Sequence, residues 1–543
     1  YSYDEGNRVI SIKKDGTLIE NEYDTFGRLL RVYMSDNSNR TAHTLVEEHF
    51  YDTYPSSLVY NGGNTILNAI TSWSDSPVKG YETLSVLAEF SGGSRCSVDG
   101  YALIAYRYDD KGRIIETITR YPDGGLLSEN FEYDFSGNQI SSRASFEKDG
   151  DKICYYEQGE NFDIRGRLRC SEPYLKVYSS GSESSLSSIY SYDEKGRLSN
   201  VRTSSGSFYY LAQSITYTRQ NWTYRLNYTL GSKSIYDEML NYYGYSSSDE
   251  FPDLYSGYIS SIEERRESAN TFKNTFYAYD YAGRLSKEKS GGSSSITEYS
   301  YDARGNILSV SQGNSTAAEE YSYAGDKLLA VDFGAGAYSI EHDSRGRVIK
   351  DLTPNGGQNI SYNNYLDKIS ATSSVNYSYL ANGTKTSSLI TTSGDSYGLI
   401  YRGPFIFRQR PDNVWVMEGV ECPEGKLTES TAFIYLKDHL GSVKAVVDAK
   451  SGEVVESSDY SSYGERSLIG PAEYGSERNG ATLRAHFTGK EDQMRDFGVD
   501  YTDFGARFYS PRVRRWLTPD PLSEKYYGTS PYAYCNGDPI NFV

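Results

Sequence analysis

Polar and aromatic positions alternate along this chain in a short phrase that keeps returning. The phrase is an aromatic residue, any residue, Tyr, Asp, two residues, Gly, Arg or Asn, then an aliphatic. It reads Tyr1-Ser-Tyr3-Asp4 with Asn7-Arg8-Val9, where Asn7 takes the glycine position, and Tyr23-Asp24 with Gly27-Arg28-Leu29. It returns at Tyr106-Arg-Tyr108-Asp109, Phe131-Glu-Tyr133-Asp134, Phe162-Asp163, Tyr190-Ser-Tyr192-Asp193, Tyr277-Ala-Tyr279-Asp280 and Tyr299-Ser-Tyr301-Asp302. A degenerate Tyr321-Ser-Tyr323 and His342-Asp343 with Gly346-Arg347-Val348 close the run, while residues between about Ser204 and Asn274 match it poorly.

Each part of the phrase has a mechanical reading. Tyr-x-Tyr has period two, which places both rings on one face of a strand. Asp followed three residues later by Gly is turn chemistry, because the carboxylate accepts a local N–H and Gly takes a positive φ without penalty. Arg-Leu/Ile/Val then opens the return strand. Lys14-Asp15-Gly16 and Lys148-Asp149-Gly150 read as tight hairpin turns. One repeat is therefore about one hairpin, and successive hairpins pair side by side. Helix signals are weak; Asp237–Tyr243 is the segment that could form a short helix. The fold class is all-β. A sheet of so many chained hairpins accumulates twist and curls into a spiral with an enclosed volume, and its bare edges need plugs.

Composition sharpens this picture. Hydrophobic residues make up 37 %, of which Tyr supplies 54 residues. That is below the roughly 45–50 % of compact globular chains, so the chain makes thin walls rather than a thick dry core. Aromatics at 14 % and tyrosines at strand spacing exclude disorder despite the net charge of −18. The same acidity excludes a nucleic-acid binder, which needs clustered Lys and Arg, and an anionic membrane surface. No apolar run approaches the roughly 18 residues that span a bilayer, so no transmembrane segment is expected. Tyr1 falls inside a repeat and is not Met, so the chain reads as an internal piece of something longer. Five scattered cysteines (Cys96, Cys154, Cys170, Cys422, Cys535) contain no C-x-x-C pair and point to isolated thiols.

From about Leu436 the pattern changes. Asp438-His439-Leu440-Gly441-Ser442-Val443 leads a strand. Tyr460-Ser-Ser-Tyr463-Gly464, Phe487-Thr488-Gly489-Lys490-Glu491, Gly505-Ala506-Arg507-Phe508-Tyr509 and Arg515-Trp516-Leu517-Thr518-Pro519-Asp520-Pro521 follow, and Tyr532-Ala533-Tyr534-Cys535-Asn536-Gly537-Asp538-Pro539 comes last. These motifs resemble the Rhs-repeat-associated core domain, and the earlier phrases resemble YD repeats, the family of polymorphic toxin shells, toxin-complex C subunits and teneurins. The resemblance implies a YD/Rhs-repeat β-shell over 1–430 and a core domain over 431–543. It implies a spiral of YD-repeat hairpins forming a hollow, cocoon-like shell that the core domain closes at one end.

The expected function is a bacterial shell, secreted or exported to the cell surface, that encapsulates a C-terminal toxin or effector segment. The core domain then contributes to autoproteolytic release. The alternative is an adhesion or glycan-binding protein on the same scaffold. Expected partners are the toxin cargo, with a secretion-apparatus component and an immunity protein besides.

By resemblance, Asp520 matches the first aspartate of the family's cleavage site. The second lies in an Asp-Pro-x-Gly motif that would begin about where this sequence stops. Two close carboxylates share one proton, so that one activates water while the other polarises the carbonyl. Asp538 is a substitute at a position the family usually gives to Asn. Read without the family, Asp520 in Pro-Asp-Pro is a turn residue. Arg507, Arg512, Arg514 and Arg515 form a basic cluster that pairs with carboxylates across strands, or orients the cleavage site, or faces acidic cargo. His439 reads as a packed structural histidine, since no G-x-S-x-G nucleophile motif is present to use it. Absence of H-E-x-x-H, Walker A and G-x-G-x-x-G patterns leaves no cofactor or metal expected.

Overall fold

A computed structural model describes the chain except for residues 15, 37–42, 74–76, 92–97, 207–209, 244–249, 267–270, 292–294, 314–317, 335, 353–356, 393–394 and 471–482. Strand makes up 55 % of it and helix 4 %, so the chain is all-β, as the alternation predicts. It divides into two compact units. One comprises Tyr1–Ser185, Ser361–Cys422 and Leu427–Ser430; the other comprises Leu186–Ile360, Pro423–Lys426 and Thr431–Val543.

In the first unit, consecutive strands from Ser2–Tyr3 to Ser182–Ser185 each pair antiparallel with the next. The strands from Asn376–Leu380 to Trp415–Cys422 form a second antiparallel run, joined to the first where Tyr379 faces Phe90. The helix Gly63–Ala69 lies between two strands, and its Ile66, with Ile70 and Trp73 just beyond it, packs on Leu84, Val86, Leu103, Ala105 and Ile118.

The second unit repeats the plan. Hairpins from Ser187–Tyr192 to Gln358–Asn359 pair in chain order. Ala432–Lys437, Val443–Asp448 and Val454–Tyr460 form a further meander. A small sheet of Glu491–Asp492, Thr502–Asp503, Phe508–Ser510 and Arg515–Trp516 follows.

The repeat phrase folds into one stereotyped turn. At Asp109, the backbone N–H donates to the Arg113 carbonyl at 2.9 Å and Gly112 N–H returns to the Asp109 carbonyl at 3.1 Å. The Asp109 carboxylate accepts the N–H groups of Lys111 and Arg113, each at 2.9 Å, and its second oxygen takes Arg113 Nε at 2.7 Å. The Asp–Arg pair recurs at Asp4–Arg8, Asp24–Arg28, Asp163–Arg167, Asp193–Arg197, Asp280–Arg284 and Asp343–Arg347. Where Asn replaces Arg, Asn138 and Asn306 make the same bond with their side-chain amides, both at 2.8 Å. Asn7 does take the glycine position, at φ 61°. Lys148 pairs with Asp151 across Asp149 and Gly150, both at positive φ, which is the expected two-residue hairpin. At the Lys14 turn, Asp15 lies outside the described residues.

Two details were not in the period-two reading. A bulge precedes the second tyrosine of the phrase: Ser191 faces Asn200 but Tyr192 faces Leu198, leaving Ser199 as the extra residue. The second tyrosine then reaches back to the aliphatic residue of the preceding repeat. Tyr23, Tyr133, Tyr217 and Tyr323 donate their hydroxyls to the carbonyls of Val9, Ile114, Leu198 and Ile307 at 2.7–2.9 Å. The arginine of the preceding turn lies over the same ring: Arg113 is 4.6 Å from Tyr133 and Arg197 is 4.3 Å from Tyr217. Polar ladders of this kind add to the buried apolar residues of the repeats, such as Leu285, Val310 and Val331.

The short helix expected near Asp237–Tyr243 is not formed. Lys233–Asn241 is a strand between Thr223–Leu230 and Ser261–Arg266, because Asp237 is buried and satisfied across it by Arg225 at 2.6 Å and Arg265 at 3.1 Å. The poorly matching stretch hides a degenerate repeat. Thr218 replaces Asp and Asn221 replaces Gly at φ 72°, and the Thr218 N–H still meets the Trp222 carbonyl at 2.8 Å.

Candidate functional site

Asp520 sits at the end of an aromatic platform. Trp516 pairs with Tyr509 across the small sheet, and its ring lies 4.9 Å from Phe504, 5.5 Å from Tyr509 and 5.7 Å from Tyr534. Arg507 stacks over Trp516 at 4.2 Å and donates from Nη2 to Asp520 Oδ2 at 2.9 Å. The other Asp520 oxygen accepts the Leu522 N–H at 2.7 Å. The Asp520 side chain keeps 38 % exposure, so this carboxylate is oriented and still reachable by water.

Asp538 is a different kind of carboxylate. It is buried and accepts from Ile540 N–H at 3.3 Å and Asn541 N–H at 3.2 Å, with Asn541 Nδ2 2.9 Å away. Burial pushes it up to about 6, against those hydrogen bonds. The hydrogen bonds of Asp538 and of Asp520 share no residue.

Of the four arginines, Arg507 and Arg514 meet carboxylates, Arg514 with Glu319 at 2.5 Å. Arg515 instead lies between the rings of Tyr323 and Tyr532 and donates to the Asp326 carbonyl at 2.8 Å. Arg512 lies over Phe333 and Tyr338. Pairing with carboxylates thus describes Arg507 and Arg514, but from a bend and a turn rather than from strand to strand.

His439 carries more than packing. Asp438-His-Leu-Gly441-Ser442 folds as the repeat turn, with the Asp438 N–H 3.0 Å from the Ser442 carbonyl, and Tyr460 completes the ladder by donating to the Val443 carbonyl at 2.8 Å. This turn holds His439 Nδ1 3.0 Å from Glu238 Oε1, while the His439 backbone N–H meets Glu238 Oε2 at 2.9 Å. Nε2 lies 2.9 Å from the Ile540 carbonyl. Both ring nitrogens face acceptors, so both carry protons. Burial opposes that charge, but Glu238 outweighs it and raises His439 to about 9. Burial, then Glu238, raises Asp438 to about 6.

Beside His439 lies a cavity of about 340 Å³ lined by Glu264, Lys273, Glu288, Lys444, Asp459 and Ile540 among others. Buried Lys444 bridges Glu264 at 2.7 Å and Asp459 at 2.9 Å. Among the described residues no His, Cys, Asp and Glu group is arranged to hold a metal. Cys154 is buried and Cys535 half-buried, both as free thiols, and Cys96 lies outside the described residues. Sequence reasoning missed Glu238 as the partner of His439, since no spacing links positions so far apart.

Among known proteins, residues 257–401 match the family model described as Teneurin YD-shell. Among solved structures, the chain is similar to TcdB2-TccC3-TEV, with 13 % identity over all of this chain and 33 % of that one and a TM-score of 0.46. It is similar to TcdB2-TccC3-Cdc42, with 14 % identity over 97 % of this chain and 26 % of that one and a TM-score of 0.43. The corresponding values for TcdB2-TccC3 are 12 % identity, 100 % and 36 % coverage, and a TM-score of 0.41. The chain spans 26–36 % of the length of these structures. No curated protein matches it. The matched stretch carries the turns at Asp280, Asp302 and Asp343, and the same turn recurs from Asp4 onward: over residues 257–401 the chain is similar to the YD-shell family, and the turn that marks that stretch is repeated outside it.

Proposed function

We propose that this chain is part of a bacterial Rhs-type shell that encapsulates a C-terminal toxin or effector segment. The observation that carries this reading is the recurring turn chemistry. The Asp-initiated turn and its tyrosine ladder run through the repeats and reappear at Asp438 and Tyr460, so the last part of the chain is built as a continuation of the wall. In this reading the shell occupies 1–430, a core domain occupies 431–543, and the spiral wall encloses the cargo. The protein is secreted or displayed at the cell surface, with a secretion-apparatus component and an immunity protein as partners. Among the described residues no helix is long and apolar enough to cross a membrane.

Release proceeds by self-cleavage just beyond Val543, with Asp520 as one carboxylate. Arg507 holds the Asp520 carboxylate in place at 2.9 Å, and the exposed part of the side chain admits a water. A second carboxylate, supplied by sequence beyond residue 543, carries the shared proton and polarises the scissile carbonyl.

The test is intact mass of the chain extended through its natural C-terminus, as wild type and as Asp520→Asn. A wild type that splits beyond residue 543 beside a whole variant supports the reading. If both split or both stay whole, Asp520 has no protease role. A compact unrelated domain after residue 543 fits encapsulation, whereas a membrane anchor or cell-wall domain there fits the adhesion reading.

A further inference from the structure

The segment Asp538–Asn541 is fastened by three independent groups. Asn541 Oδ1 accepts the Ile259 N–H at 3.0 Å, and its amide nitrogen lies 3.0 Å from the Tyr279 hydroxyl. Asp538 caps the turn from within. The His439 ring, bonded through Nδ1 to Glu238 while its own backbone N–H holds the other Glu238 oxygen, donates from Nε2 to the Ile540 carbonyl. Beyond these fastenings Phe542 and Val543 are 54 % and 70 % exposed. The grip on Ile540 and Asn541 therefore fixes the backbone immediately before Phe542 and Val543.

Resting on the cleavage reading above, we propose that His439 is a positioning residue for self-cleavage: with Glu238 and Asn541 it clamps the strand just upstream of the scissile bond and so selects which bond is presented. An intramolecular cut depends on holding the reacting carbonyl in a near-attack geometry, and a displacement of about 1 Å costs about a hundredfold in rate. A carbonyl gripped by a buried, doubly tethered cation supplies such a fixed point. An ordinary packed histidine would need neither the buried Glu238 nor a main-chain partner from a segment 101 residues away.

The experiment uses the chain extended through its natural C-terminus, as wild type, His439→Gln, His439→Leu and Asn541→Ala. Cleavage rate, product mass and thermal midpoint are followed together. His439→Leu is expected to cut about a hundredfold more slowly or to yield products of more than one mass. His439→Gln, which keeps an N–H donor, is expected to recover part of the rate and the single mass. Wild-type rate and a single mass in His439→Leu would overturn the proposal. A wild type that stays whole removes the cleavage reading and the positioning role together, and is distinguishable because it needs no variant.

Should His439→Leu fail to fold, hydrogen exchange in the uncut Asp520→Asn background replaces it, comparing Asp520→Asn with Asp520→Asn/His439→Ala, which removes the ring donors. Faster exchange of the Ile540 and Asn541 amides in the double variant supports the clamp. Unchanged exchange overturns it.

Discussion

The Tyr301 hydroxyl donates to the Leu285 carbonyl at 2.7 Å, tying one repeat to the first return-strand residue of the repeat before it. The bond is out of strand register, made possible by the bulge between Ser300 and Tyr301. Arg284, which belongs to the earlier turn, lies 4.7 Å over the same ring. A phenol, a carbonyl and a guanidinium thus weld adjacent hairpins beside the buried Leu285 side chain.

If that weld stabilises the wall, Tyr301→Phe removes a hydroxyl that also meets Tyr463 at 2.8 Å. Equilibrium unfolding is expected to show a loss of about 1–2 kcal/mol. A Tyr1→Phe control, at a position 79 % exposed, should fall within experimental error.

Glycine at the fourth turn position has two separable reasons to be there. Gly305 has φ +85° and open space around it, so Gly305→Ala meets backbone strain alone, about 1–2 kcal/mol. Gly283 has φ +81°, and an added Cβ would lie 2.5 Å from the Tyr258 hydroxyl. Gly283→Ala is expected to lower the thermal midpoint further than Gly305→Ala, and equal midpoints would show that Tyr258 moves aside freely.

Asp163 contributes to stability on the acid side. Arg167, above all, holds Asp163 down from 3.8 to about 2. A carboxylate with a depressed folded pKa stabilises the fold above its unfolded pKa and loses that contribution as pH falls through the folded value. Thermal midpoints between pH 4 and pH 2 should drop more steeply for the wild type than for Asp163→Asn, and parallel curves would refute the linkage.

An alkaline limb belongs to His439. Its folded pKa is raised from 6.5 to about 9, so its contribution is complete below 6.5 and disappears as pH rises through 9. The amount is on the order of 3 kcal/mol. His49, between Glu47 and Glu82, titrates in the same window, so the comparison that isolates His439 is wild type against His439→Gln from pH 6 to pH 9.5. The variant should lose less stability over that range.

Much of the architecture was written in the chain. Asp, Gly and Arg at fixed short spacing determine the turn, because every bond in it joins residues within four positions of one another. Local chemistry of that kind survives substitution, which is why Asn7, Asn138 and Asn306 were readable as variants of one theme. The Asp237 segment was misread for the converse reason. Its strand is held by Arg225 and Arg265 on neighbouring strands, and pairing across strands leaves no periodic mark in a segment of nine residues.

Asp520 could be named from its motif, but its ion pair to Arg507 depends on how the small sheet folds back. The tie of His439 to Glu238 and Ile540 bridges 201 and 101 positions. Such bonds depend on where the sheet carries each residue. The sequence alone determined the repeating turn and the all-β wall, since these rest on contacts along the chain. Only the tertiary structure decided which buried charges meet, because a buried ion pair is stable only where folding brings its partner within reach.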